Sequence, residues 1–112
     1  MSIKNPVQAT ITGSKPPESA LLNAVTVTGA GASQAVDQDI LPIEVVCAGT
    51  FAVKIEGSRD NATWYTLTCY TTAAGATTSI TASGLYAVDT SAAKYVRANQ
   101  TTADAANALT VS

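Results

Sequence analysis

The sequence has no histidine and few charged residues. Charged side chains make up 12% of its 112 residues, about half the share that is usual in a soluble protein. Without histidine the commonest general base is missing, and Ser/His/Asp and Cys/His catalytic arrangements are excluded. The carboxylates are scattered along the chain, and Glu44 and Glu56 fall on the polar sides of predicted strands. We therefore predict that the protein is not an enzyme and has no catalytic residues.

Cysteine is also scarce, because only Cys47 and Cys69 are present. Two thiols without an imidazole are too few ligands for a zinc site. Asp37 and Asp39 could supply oxygens to calcium, but two aspartates at this spacing are more typical of an ordinary loop. We expect no metal and no other cofactor. Both cysteines occupy inward positions of predicted strands, where a free thiol packs as a small apolar group; a disulfide between them is also compatible with a sandwich.

Three further features are missing from the sequence. The net charge is −2 and there is no basic run, so the electrostatic signature of nucleic-acid binding is absent. No stretch approaches the roughly eighteen apolar residues that a membrane helix needs. The first ten residues, MSIKNPVQAT, contain no apolar segment behind Lys4, unlike a secretory signal. These features predict a product that stays in the cytoplasm of the cell that makes it, with neither nucleic acid nor membrane as a partner.

Short alternating segments separated by turn residues are what the chain does contain. The clearest spans residues 51–70, FAVKIEGSRDNATWYTLTCY, where Phe51, Val53 and Ile55 alternate with small or charged residues. A period of two indicates a strand with one buried face. Gly57 is predicted to end this first arm, and residues 58–63 form a polar turn. Residues 64–70 then form the second arm of a hairpin, and its Leu67 joins the core.

The same reasoning predicts further strands over residues 22–29, where Val25 and Val27 share a face, and over 40–47, 85–89, 94–99 and 109–111. Residues 71–79 are predicted to be a long loop. About eight short strands with frequent turns and no helical period are typical of an antiparallel β-sandwich, either a jelly roll or an immunoglobulin-like fold. Residues 1–18 are predicted to be an N-terminal arm or edge strand, and residues 19–112 a single domain.

Trp64 and Tyr65 are neighbours on one predicted strand, so one ring points inward and the other outward. A β-sandwich normally buries its tryptophan, which favours a core position for Trp64. An outward ring would instead suit stacking against a sugar. These two residues are therefore the candidate contacts for a glycan.

Residues 58–64, SRDNATW, resemble the Ser-x-Asp-Gly-x-x-Trp hairpin of small β-sandwich modules. Such modules include discoidin-like domains, carbohydrate-binding domains and short virion proteins of tailed bacteriophages. Asn61 stands where glycine is commoner, and the tolerance of asparagine for the left-handed conformation explains the exchange. Residues 84–89, GLYAVD, and 94–97, KYVR, look like the second half of the same module. The short chain, its low charge and its Ala/Thr-rich composition favour the phage type.

The resemblance implies a structural virion protein that binds the outside of a phage capsid and stabilises it, as a decoration or cement protein. The implied partners are the major capsid protein and further copies of the chain, arranged as a homotrimer. Two alternatives are a carbohydrate-binding module for host-surface glycans and a tail or adaptor component. The implied capsid or inter-subunit contacts are Ile3, Lys4, Pro6 and Val7, and the candidate loop contacts are Arg59, Asp60 and Asn61.

Overall fold

The computed structural model of the chain describes residues 20–71 and 75–112. Over these residues the protein is all β and forms two packed antiparallel sheets, which confirms the predicted β-sandwich. The predicted arm at residues 1–18 lies outside the described residues. The strands are β1 Leu22–Val25, β2 Gly29–Ala30, β3 Gln34–Ala35, β4 Ile40–Val46, β5 Ala52–Ser58, β6 Tyr65–Thr66, β7 Cys69–Thr71, β8 Gly75–Thr77, β9 Gly84–Asp89, β10 Tyr95–Thr102 and β11 Leu109–Val111.

The strands are paired in a nested order. Sheet A has the order β1-β11-β4-β9-β7-β8, and sheet B has the order β2-β10-β5-β6, with β3 also paired to β10. The first strand thus lies beside the last, β2 and β3 lie beside β10, β4 lies beside β9, and β5 lies beside β6. A sandwich of two Greek keys wound in this way is a jelly roll, which decides between the two predicted topologies. The β7–β8 hairpin extends sheet A beyond this nested set.

Alternate residues of the central strands face the space between the sheets. On β5 these are Val53 and Ile55, which are fully buried, and Phe51 lies directly before them at 3% exposure. Leu67 packs against the same core as a partly buried side chain. The four core positions predicted for residues 51–70 are therefore confirmed. The other buried apolar residues are Leu21, Leu22, Ile43, Val45, Cys69, Ile80, Val88, Val96, Ala98, Leu109 and Val111.

The prediction that residues 51–70 form one hairpin is only half right. The first arm is β5, which continues through Gly57 to Ser58 rather than stopping at the glycine. The second arm is split, because Tyr65 and Thr66 pair with β5 whereas Cys69 begins a strand of sheet A. The apolar character of residues 64–70 comes from a crossing between the sheets, in which Leu67 reaches the core from the connection after β6 and Cys69 reaches it from β7.

Two other predicted elements also differ. The strand predicted over residues 22–29 ends at Val25, because Ala24 has φ +55° and interrupts the ladder with β11. Val27 is consequently 66% exposed instead of sharing a buried face with Val25. The loop predicted over residues 71–79 contains β8. Ile80, which follows this segment, is buried and forms an isolated backbone bridge with Val53.

The two cysteines are free thiols, so the disulfide alternative is not realised. Cys69 is buried, and desolvation raises the pKa of its thiol to about 11. Cys47 is half-buried, and its Sγ donates to the carbonyl of Asn107 at 3.5 Å. Both residues therefore serve as packing groups, as the sequence favours.

Gln100 is an exception to the apolar core. It faces inward from β10 with no exposed surface, and neither oxygen nor nitrogen of its side-chain amide has a hydrogen-bond partner. Burying an amide without a partner costs about 1–3 kcal/mol. This residue therefore lowers the stability of the fold.

Gln100→Met should raise the free energy of unfolding by about 1–2 kcal/mol, because it keeps the side-chain length and removes two unpaired polar atoms. Thermal and urea denaturation would measure the change. Gln38→Met, at an exposed glutamine, is the matched control and should change little. A loss of stability in Gln100→Met would mean that the amide has a bonding role.

Candidate interaction face

Large apolar side chains are exposed mainly on one side of the sandwich. In the described part of the chain, six large hydrophobic residues are strongly exposed, and four of them belong to sheet A. Leu85 is 72% exposed and Ile40 is 61% exposed. Because successive residues of a strand point to opposite faces, these side chains point away from the core that their neighbours Val88 and Ile43 fill. Sheet A therefore has apolar side chains on both its outer and its inner side.

The strand register brings these side chains together. Tyr70 on β7 lies opposite Ala87 on β9, and Ala87 lies opposite Pro42 on β4. Directly paired residues share one face of a sheet. Two adjoining depressions, of about 640 and 220 Å³, have Tyr70 and Ala87 in common, and they extend to Leu85 and Ile40 respectively. We call this surface, made of Ile40, Pro42, Tyr70, Leu85 and Ala87, the sheet A face.

The outer side of sheet B has the opposite character. Glu56 on β5 lies opposite Arg97 on β10, and Arg97 Nε donates to Glu56 Oε1 at 2.7 Å. Asn99 Nδ2 donates to the other carboxylate oxygen at 3.3 Å. The Arg97 guanidinium lies 4.4 Å from the centre of the Trp64 ring, within the range of a cation–π contact. Glu56, Arg97 and Asn99 on this side thus bond to one another within one molecule.

Trp64 is thus placed differently from the favoured prediction. It is half-buried and does not belong to the core cluster. Arg97 covers one of its faces. Aliphatic residues and Phe51 fill the space between the sheets, and the indole packs beside sheet B instead. A sugar ring would have to displace the guanidinium to stack on that face.

The loop of residues 59–63 is organised around Asp60. Asp60 Oδ1 accepts hydrogen bonds from Ser58 Oγ at 2.9 Å, from the Ala62 amide at 3.0 Å and from the Thr63 amide at 2.9 Å. Asn61 has φ +61°, which confirms the left-handed conformation expected where glycine is commoner. The backbone hydrogen bonds from Thr63 and Ala62 lower the pKa of Asp60. Asp60 is therefore a turn-forming residue whose charge is used within the loop.

The structure brings some of the candidate residues together. Arg59, Asp60 and Tyr65 line a shallow depression of about 300 Å³ with Thr63. Tyr65 is 68% exposed there, whereas Trp64 does not line the depression. Asn61 is exposed on the same loop. The candidate contacts Ile3, Lys4, Pro6 and Val7 lie outside the described residues.

The parts of the chain that the structure covers contain no metal-binding cluster. Over residues 20–71 and 75–112, no three Cys, Asp or Glu side chains are grouped to hold a metal ion. No helix in these ranges is long and apolar enough to span a membrane. No protein-family model, curated protein or solved structure matches the chain.

The sheet A face was missed by the sequence reasoning, although a signal for it exists. In residues 40–46, ILPIEVV, apolar side chains occupy both parities of the strand, so Ile40 and Val46 are apolar although they face outward. Residues 84–89 repeat the pattern with Leu85 opposite in parity to Val88. A strand that is apolar on both faces has a second surface to bury. The prediction relied on strands with one apolar face, as in residues 51–56, and so did not consider strands with two.

Asp60→Ala should destabilise the fold at neutral pH, because two loop amides and the Ser58 hydroxyl lose their acceptor. Since the folded-state pKa of Asp60 lies below the ordinary 3.8, its stabilising effect is fully present above pH 3.8 and is lost as the pH falls through the folded value. The stability difference between the wild type and the variant should therefore be constant near neutrality and shrink below pH 3.8. Urea denaturation at several pH values would measure it.

Asp37→Ala is the control for this series, since Asp37 is also an exposed loop aspartate. It should leave stability nearly unchanged across the same pH range. A difference for Asp60→Ala that did not diminish in acid would show that the loop depends on packing rather than on the carboxylate.

Proposed function

We propose that the protein is a structural virion protein of the decoration type, which binds the outside of a phage capsid and stabilises the shell. The observation that carries the proposal is the sheet A face, an apolar outer surface on a sandwich whose other outer surface is polar and internally bonded. Jelly rolls occur in viral capsid and lectin domains. Because a fold alone does not define a function, the proposal depends on this asymmetry.

In this arrangement sheet A is pressed against the major capsid protein and sheet B faces the solvent. An exposed apolar patch bounded by polar residues is typical of a protein-binding surface. Leu85, Ile40 and Tyr70 are the large exposed apolar side chains of the sheet A face that docking would cover. The protein would be made in the host cytoplasm and reside in the virion.

Further contacts would come from the segment that precedes the described residues. Ile3, Lys4, Pro6 and Val7 supply apolar groups and one cation, and the resemblance to phage decoration proteins implies contact with the capsid or with neighbouring copies. We propose a homotrimer on the shell. The compact sandwich would supply the main contact, and this segment would link each copy to its neighbours.

Leu85→Glu and Ile40→Glu should each weaken binding to undecorated capsids by about thirtyfold or more, the loss expected when a large buried interface residue is replaced by a charge. Sedimentation of purified full-length protein with capsids would measure the affinity, and cryo-electron microscopy would locate the density. Val27→Glu is the matched control, because Val27 is 66% exposed but lies off the sheet A face. Wild-type protein that does not bind capsids, or binds only to tails, would contradict the proposal.

A second candidate function, glycan binding, is supported by the exposed Tyr65 ring beside Arg59 and Thr63. A flat ring next to hydrogen-bonding groups suits a sugar. The Arg97 guanidinium over Trp64 leaves Tyr65 as the better stacking surface. This site lies on the loop after β5, apart from the sheet A face.

Tyr65→Ala should abolish any saturable signal on a glycan array, whereas Tyr70→Ala should preserve it. Tyr70 is the matched control because it is an exposed tyrosine on the sheet A face. Capsid binding should respond in the opposite way, with loss in Tyr70→Ala and none in Tyr65→Ala. An array on which the wild type binds no glycan would remove this candidate.

A further inference from the structure

The cations of the described chain are confined to one sheet and the loops at its strand ends. All four described cations belong to sheet B or to loops at its strand ends: Lys54 is on β5, Arg97 is on β10, Arg59 follows β5 and Lys94 precedes β10. The sheet A face has the opposite sign. Its charged neighbours are carboxylates only.

These carboxylates lie at both ends of the sheet A face. Glu44 lines the larger depression, and Asp39 and Asp89 line the smaller one, whereas no described Lys or Arg lines either. The register pairs Glu44 with Leu85 and Ile40 with Asp89. The two ends are thus four residues apart along the strands, or about 14 Å at the rise of a β-strand.

No described cation neutralises these groups. The ion pair within the described residues joins Arg97 to Glu56 on the other sheet. Asp89 Oδ1 accepts from the Ser91 hydroxyl at 2.7 Å and from the Ser91 amide at 3.1 Å. The hydrogen bonds from Ser91 lower the pKa of Asp89. The sheet A face is therefore an apolar surface with unpaired negative charge at each end.

We propose that the surface recognised by the sheet A face is an apolar patch of the major capsid protein with a Lys or Arg at each end. One cation would pair with Glu44 and the other, about 14 Å away, with Asp39 and Asp89. This inference rests on the proposed function and specifies the chemistry of its partner. The apolar centre would provide most of the affinity, and the charged ends would set orientation and association rate.

A second copy of the chain fits the sheet A face less well. Two such faces related by a two-fold axis would bring carboxylates toward carboxylates, because an isologous contact uses the same patch twice. Pairing the sheet A face with the cations of sheet B would match the charges, but the two surfaces lie on opposite sides of the sandwich. A head-to-tail contact closes into a ring only where the rotation between copies allows it, and otherwise it continues into an open filament. The charge pattern thus favours a different protein as the partner.

The test is to measure binding of full-length protein to undecorated capsids at low and high salt with Glu44→Lys and Asp39→Lys. Each variant reverses one charge at one end of the sheet A face, at a side chain that is exposed. We expect each to weaken binding about three- to tenfold at low salt, the range for exposed charges at an interface. Wild-type binding should weaken as salt rises, and the variants should depend less on salt.

Asp37→Lys is the control, because it makes the same charge change two residues from Asp39 but lines neither depression. It should bind like the wild type. Wild-type binding that is insensitive to Glu44→Lys and Asp39→Lys, or equally sensitive to Asp37→Lys, would overturn this inference while leaving capsid docking intact. Absence of wild-type binding would overturn both. Light scattering that revealed filaments abolished by Glu44→Lys would assign the sheet A face to another copy instead.

Discussion

The fold depends on backbone pairing between segments that are far apart in the sequence. Leu22 pairs with Val111, Gln100 with Gly29 and Ile40 with Asp89. None of the core can close until these ladders form, because the residues that fill it come from both sheets. Folds dominated by non-local pairs form slowly, since the chain must lose loop entropy before the contacts compensate.

The nested pairing also creates two outer surfaces that meet different surroundings. On sheet B, Glu56, Arg97 and Trp64 form a set of contacts that is complete within one molecule. On sheet A, Leu85 and Ile40 extend into solvent without an apolar neighbour to cover them. The few charged residues are therefore unevenly distributed over the surface of this protein. The four described cations lie on sheet B and the loops at its strand ends, and the charged groups beside the apolar surface are carboxylates.

Sequence periodicity was sufficient to predict the sandwich and the positions of Phe51, Val53 and Ile55, because a buried strand face imposes a period of two whatever its partner. It was not sufficient where the chain changes sheets. Leu67 and Cys69 are two residues apart, as inward residues of one uninterrupted strand would be. Only the register shows that the chain crosses between the sheets there. Ala24 adopts φ +55° without the glycine that usually signals this conformation. The sheet A face depends on three strands brought side by side. Residues 40–46 indicate an apolar outer face on one strand, but only the register shows which neighbouring strands extend it.

Placing the first strand beside the last also brings the two ends of the described chain together. The Leu21 amide donates to the Val111 carbonyl at 2.8 Å, and Ser112 exchanges backbone hydrogen bonds with Glu44. Ser112 also lines the larger depression of the sheet A face. A fluorescent protein or affinity tag joined after Ser112 would therefore emerge at the border of that surface and obstruct it. Cargo for surface display is better attached away from this border, on the side of sheet B.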